Sequence, residues 1–186
     1  MTLDSLCAAA IEYSDNTAGN LLLQAIGGPA ELTDSVRSLG DSVTRLDHVE
    51  PDLNSAIKAD DRDTTSPAAM LGDLKSLLLE DRLSPESRER LTNWLVADTT
   101  GAKRLRAGLP ATWRIGDKTG TGDNGAMGDI AIAWLELFFC AGLPAEELRN
   151  ALECDGEPDY FAELRVAYLH LNARSVRDSV GDLNAQ

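Results

Sequence analysis

Three short runs in this chain carry residue types that could do chemistry together. Lys118-Thr119-Gly120 follows a stretch of strand character and runs into Thr121, with glycines on either side. A strand edge of that composition offers an ammonium, two hydroxyls and close backbone approach, which suits an extended amide and its carboxylate. Ser14-Asp15-Asn16 interrupts an apolar pattern with three hydrogen-bonding side chains, each also an ordinary helix cap. Glu50 opens Glu-Pro-Asp-Leu-Asn and so stands four residues from Asn54. A carboxylate and an amide at that spacing could hold a hydrolytic water, with Glu50 as general base and Asn54 as second partner. The chemistry in view is acyl transfer on a small anionic amide.

The elements that must position these runs are mostly helical. Leu3, Leu6, Cys7, Ala10 and Ile11 recur at helical spacing, and the apolar face they make needs something to pack against. A second helix follows Ser14-Asp15-Asn16, carries Leu21, Leu22, Leu23 and Ile26, and closes at Gly27-Gly28-Pro29; a third runs from Pro29 to Leu39. Residues 42–66 lose all periodicity, and an aperiodic stretch this long in a compact domain is usually functional. Pro67–Leu79 and Pro85–Val96 read as amphipathic helices, and Lys103–Ala107 as a turn of helix. Trp113–Ile115 and Ile130–Trp134 read as strands flanking a glycine-rich bend. Beyond Trp134 all segments favour helix.

Composition bounds the partners. The 186 residues hold 31 acidic against 17 basic side chains, a formal charge of −14 that repels nucleic acid and anionic membranes. An anionic ligand therefore needs a local patch of lysine and arginine. No run approaches the roughly 20 apolar residues of a membrane span, and the opening residues lack a basic leader, so a cytoplasmic location is expected for the chain as written. Cys7, Cys140, Cys154, His48 and His170 lack metal-ligand spacing, so neither a metal nor another cofactor is expected.

The three runs, in this order and separated by tens of residues, closely resemble the class A serine β-lactamases, whose signature includes a serine–lysine pair, a Ser-Asp-Asn element and a Lys-Thr-Gly element. The likeness continues through residues 6–23, 27–56, 60–70, 99–122 and 128–134, and covers about residues 1–134. It implies an α+β, β-lactamase/transpeptidase-like fold: mostly the helical subdomain, a reduced antiparallel sheet of two or three strands exposing edges and one face, and an atypical helical tail over 135–186 packed on it.

The resemblance also implies roles. Ser14 would relay a proton toward the leaving nitrogen, Glu50 would activate the deacylating water with Asn54, and Lys118 would supply positive potential beside Ser14. Asn16 would donate to the substrate's side-chain amide. Thr119, Gly120 and Thr121 would line the carboxylate side of the substrate, and the Thr121 N–H would form half of the oxyanion hole. Two departures stand out. Met127 occupies the position where many members carry a carboxylate-binding arginine, and Arg104 looks like the substitute used by another branch. His48 stands where an arginine usually forks onto the residue matching Asp63; a neutral imidazole cannot make that fork, so a looser loop is expected, braced by Arg45, Asp47 and Arg62.

The family's attacking serine and its lysine one helical turn later belong upstream of Ser14. The sole Ser-x-x-Lys here, Ser55 to Lys58, falls in the aperiodic loop beside Asp60 and Asp61, a setting opposite to the buried helix start that lowers a lysine's pKa. The expectation is a β-lactamase-like chain, hydrolysing a β-lactam amide by an acyl-enzyme route in the family and inactive in isolation. The alternative is a non-catalytic interaction module that keeps part of the substrate-binding wall. A partner cysteine for Cys7 would also lie upstream, so Cys7 is expected to be a buried free thiol.

Overall fold

Helix starts in this protein are set by side-chain caps. In the computed structural model, which describes residues 1–134 and the backbone strand 165–172, Thr2, Asp15, Ser66 and Ser84 each accept a hydrogen bond from the backbone N–H three residues on. They open α1 (Leu3–Glu12), α2 (Asn16–Ile26), α4 (Pro67–Leu78) and α5 (Pro85–Val96). The last two have proline in their first turn, where its missing N–H costs nothing. Between them, α3 (Pro29–Ser38) starts at Gly28, and α2 ends on Gly27 at φ +108°, a left-handed value that favours glycine.

Strands β1 (Arg114–Thr121) and β2 (Ala126–Trp134) form a hairpin, with Arg114 opposite Trp134 and Thr121 opposite Met127. Both are longer than the apolar pattern suggests. Lys118-Thr119-Gly120 and Gly128-Asp129 belong to the ladder, and only residues 122–125 make the bend. Glycine-rich sequence carries little strand propensity of its own; the cross-strand hydrogen bonds hold it extended.

A third strand, β3 (Arg165–Asn172), pairs antiparallel with β2, giving the order β1-β2-β3. This corrects the helical reading of that stretch. A short apolar run fits either period, and the open edge of β2 offers unpaired N–H and C=O groups that a strand satisfies and a helix does not. The remainder of the expected 135–186 tail lies outside the described residues.

The sheet is also better covered than expected. On one face Ile132, wholly buried, packs with Leu74, Leu78 and Leu95 from α4 and α5, flanked by Ile11, Leu91, Ile130 and Trp134. On the other, Ala131, Ala133 and Ile115 lie under Leu105, Leu109 and Trp113. Residues 105–113 roof the face that was expected to be exposed. By contrast α1 and α2 leave Leu3, Tyr13, Leu21 and Ile26 44–63 % exposed. Among the described residues no helix is long and apolar enough to cross a membrane.

Candidate active site

Asp15, not its neighbours, caps α2: its Oδ1 accepts from Ala18 N at 2.7 Å. That leaves Ser14 and Asn16, both exposed, free to face a ligand. Ser14 sits at φ +55°, a left-handed conformation that costs a non-glycine residue about 1 kcal/mol or more and is concentrated at functional sites.

Lys118, central in β1, donates its ammonium to Ser14 Oγ and to the Thr119 carbonyl, the latter at 2.8 Å. The serine and the lysine proposed to work together thus meet across 104 residues of sequence. Burial pulls the Lys118 pKa below its usual range, against the opposing influence of Asp98, Asp117 and Asp129. An ammonium poised in this way gives up its proton more readily than a solvated lysine.

Arg104 lies against the hairpin near Met127. Its Nη1 donates to the carbonyls of Gly120 (2.9 Å) and Gly128 (2.7 Å), and its Nη2 to Thr121 Oγ1 (2.6 Å). Met127 is exposed beside it and offers no donor. Thr119 bonds sideways to Thr100, Oγ1 to Oγ1 at 2.6 Å, and Thr100 in turn lies 2.8 and 3.1 Å from the two carboxylate oxygens of Asp98. Beneath this edge three aspartates are buried: Asp98, Asp117 and Asp129. Asp129 accepts from Leu105 N at 2.9 Å and Asp117 pairs with Arg106. Burial pushes both carboxyl pKa values up, outweighing Arg106 in the case of Asp117.

Glu50 forms a second group. Its side chain accepts from Asn54 Nδ2, and its backbone is clasped by Asn20, which donates to Glu50 O and accepts from Glu50 N, each at 2.9 Å. Asn20 lies one turn along the helix that begins at Asn16, so α2 joins the two groups. The far side of the loop meets the hairpin bend. Asn124 donates to Ser55 O at 3.0 Å, and a Cβ on Gly122 would stand 2.9 Å from Asn54 O. Ser14, Glu50 and Lys118 are therefore carried by three elements bonded to one another, with Asn16, Asn54, Thr119, Gly120 and Thr121 on the same elements and Arg104 reaching β1 from the segment before Leu105.

The loop closes despite His48. Asp63 Oδ2 meets His48 Nδ1 at 2.5 Å, while its Oδ1 accepts from the backbone of Asp47 (2.8 Å) and His48 (2.9 Å). Asp47 Oδ2 accepts in turn from Asp63 N, and Arg45 steadies Asp47. Arg62, expected as a brace, instead turns onto Asp60. Burial would raise the Asp63 pKa, but His48 and the two N–H donors hold it low. Its stabilising contribution is thus present above the unfolded carboxylate range and lost as pH falls through the lowered value. Asp63→Ala strands two backbone donors and is expected to cost about 2–3 kcal/mol. Amide exchange across residues 42–65 should accelerate; unchanged protection there would refute the clasp.

Sequence reasoning missed Asn20, Asp98, Thr100 and the Arg106–Asp117 pair. Thr99-Thr100-Gly101 carried a signal: Gly101 has no room for a Cβ, which would fall 1.5 Å from Asp117 Oδ2. Cys7 is half-buried and makes no disulfide among the described residues, and Cys140 and Cys154 lie outside them. Burial, then Asp4, raises its thiol pKa. The described residues contain no cluster of His, Cys, Asp and Glu fit for a metal ion.

A model of the "Beta-lactamase enzyme family" matches residues 1–141. Beta-lactamase AST-1 of Nocardia asteroides is 52 % identical over 159 residues, covering 86 % of this chain and 51 % of the relative. The beta-lactamase of Mycobacterium tuberculosis is 54 % identical over 138 residues, covering 72 % and 45 %. Among solved structures, an ancestral class A beta-lactamase (GNCA) superposes with a TM-score of 0.72 at 63 % identity, over 73 % of this chain and 52 % of that one. The chain spans about half the length of the curated relatives it matches.

Proposed function

Because this chain belongs to the class A β-lactamase family, we propose that it carries the distal half of a β-lactam-hydrolysing site, and that turnover requires a serine–lysine pair from outside these 186 residues. The observation that carries the reading is the Lys118–Ser14 hydrogen bond beside the threonine edge braced by Arg104. In this reading the serine of that pair gives its proton to the pair's lysine as its oxygen attacks the lactam carbonyl, the amide C–N bond breaks, and Ser14 passes a proton to the departing nitrogen and recovers one from that lysine. Lys118 stabilises the Ser14 oxygen while it is short of that proton. Arg104 and the edge hold the carboxylate, and the Thr121 N–H faces the oxyanion. Glu50, oriented by Asn20 and Asn54, then takes a proton from the water that attacks the ester.

Ser55 does not supply the nucleophile. It follows the short helical turn Asp52–Asn54 in the Glu50 loop, its carbonyl engaged by Asn124 and Lys58 exposed. The exposed apolar residues of α1 and α2 favour completion by another segment, whether joined to this chain or supplied as a second polypeptide.

The decisive experiment is complementation. The full chain alone, mixed with a slowly deacylating β-lactam, should gain no mass. Co-expressed with an upstream β-lactamase segment bearing the serine–lysine pair, it should hydrolyse a chromogenic cephalosporin, and replacing that serine by alanine should abolish the rate. A one-to-one adduct on the isolated chain at Ser14 or Ser55 would overturn the proposal, and so would a soluble complex that binds the segment without turnover, which favours the interaction module.

A further inference from the structure

The sequence contains one Asn-Gly pair, Asn124-Gly125, and it lies in the bend between β1 and β2. Both residues take positive φ, +53° and +78°, the signs that a tight Asn-Gly hairpin turn requires. Asn124 is exposed, and its side-chain amide points out of the hairpin onto the Glu50 loop. Its Nδ2 donates to Ser55 O at 3.0 Å and lies 3.4 Å from Ala56 O. Among the described residues, no other side chain from outside the loop bonds to residues 55–59. That segment needs a hold, because Ala56 and Ala59 sit at φ +43° and +66°, left-handed values that disfavour alanine. The bend also presses on the loop through Gly122, where a Cβ would stand 2.9 Å from Asn54 O.

We propose that Asn124 is a site of spontaneous deamidation, and that its conversion unlatches the Glu50 loop from the hairpin bend. The Gly125 nitrogen can close a five-membered ring on Asn124 Cγ, and glycine has no Cβ to obstruct the closure. The N–Cγ bond forms, the Cγ–Nδ2 bond breaks, and ammonia leaves carrying the Gly125 amide proton. Solvent water then opens the cyclic imide, at the side-chain carbonyl to give aspartate or at the backbone carbonyl to give isoaspartate. Nothing is oxidised or reduced. The product is an ionised carboxylate, which can only accept hydrogen bonds. It faces the Ser55 and Ala56 carbonyls, which also only accept, and Asp123 beside it adds a like charge. The latch thus becomes a repulsive contact, next to the Asn54 that orients Glu50. In the folded chain the latch also slows the reaction, since Nδ2 must leave Ser55 O before Cγ can turn to the Gly125 nitrogen. Asn54 itself is shielded: its Nδ2 is engaged by Glu50 and Pro51, and its successor Ser55 carries a Cβ.

The full chain, aged in mildly alkaline buffer, should gain the mass of an amide turned into a carboxylate, mapped to residue 124 ahead of every other asparagine. Amide exchange over residues 52–60 should then quicken about tenfold, the scale of one lost hydrogen bond, while α4 and α5 keep their protection. Freshly prepared Asn124→Asp should show the same pattern without ageing. Asn124→Ala should show a smaller rise, because it removes the donor without adding a charge. Asp63→Ala, which loosens the loop from its other side, should speed the deamidation of Asn124. Modification first at Asn54 or elsewhere would overturn the proposal, and so would unchanged exchange over 52–60 in either the aged chain or Asn124→Asp. Loss of protection in α4 and α5 as well would overturn it too, since that marks general unfolding and not a released loop. Neither readout involves a β-lactam, so the outcome is independent of the function proposed above.

Discussion

Replacing Arg106 by leucine is expected to destabilise the protein by about 3–5 kcal/mol, the usual cost of leaving one partner of a buried ion pair behind. The geometry explains why the loss should be lopsided. Asp117 is fully buried in the middle of β1, whereas the Arg106 side chain keeps 27 % exposure. Leucine at 106 strands a carboxylate with no route to water and with one oxygen, Oδ2, already lacking a donor. Asp117→Asn strands only a guanidinium that can reach solvent, and leaves it a carbonyl acceptor. Its cost should be about 1–2 kcal/mol, the scale of a single net hydrogen bond.

The pH dependence has a definite sign. Burial already raises the Asp117 pKa, and without Arg106 it rises further. A raised folded value means stability is retained below the unfolded carboxylate range and lost as pH climbs through the folded value. The deficit of Arg106→Leu should therefore grow from acid toward neutral pH. Urea denaturation of the two single variants and of Arg106→Leu/Asp117→Asn checks this. A double variant less stable than Arg106→Leu alone would show that the pair does not carry the effect.

Asp73→Asn should stabilise the protein above about pH 7 and leave it unchanged below about pH 4. Asp73 on α4 and Asp41 after α3 are both buried and within hydrogen-bond reach of each other. Asp41 Oδ1 accepts from Val43 N at 2.6 Å and Thr44 N at 3.0 Å, while its buried Oδ2 has no donor among the described residues unless Asp73 keeps a proton for it. Burial first, then Asp41, raises the Asp73 pKa to about 6, with Arg37 the opposing charge. Its contribution is complete below the unfolded value near 4 and lost as pH rises through about 6. At about 1.4 kcal/mol per unit that loss is roughly 3 kcal/mol, and asparagine, which cannot ionise, escapes it. Melting temperatures of the two proteins measured from acid to neutral pH should diverge with an inflection near 6; parallel curves would sink the assignment.

Helices and the three chemical runs were legible in the sequence because their signals are local: a cap three residues from its N–H, a proline at a helix start, apolar residues at helical spacing. Ser14, Glu50 and Lys118 could be picked out by type and order. What escaped is held by contacts distant in sequence. Asn20 clasps Glu50 across 30 residues, and Thr100 meets Thr119 across 19. The full lengths of β1 and β2 were hidden for the same reason, since glycines state no preference until a partner strand supplies one. His48 misled because its type was compared with arginine's fork, while the loop closes mainly through backbone donors to Asp63.

At the outer end of the hairpin Gly120 faces Gly128, so no side-chain pair there opposes slippage of one strand along the other. A shift by one residue would turn Lys118 off its face and bring Thr119 or Gly120 into its place. Arg104, reaching in from outside the sheet to bind both glycine carbonyls, acts as a registration pin for the ladder. Anchor and pin are thus one side chain. Lysine at 104 would keep a positive charge but lose the planar fork that spans both strands, so retuning ligand affinity at this position also alters the frame in which the two threonines are presented.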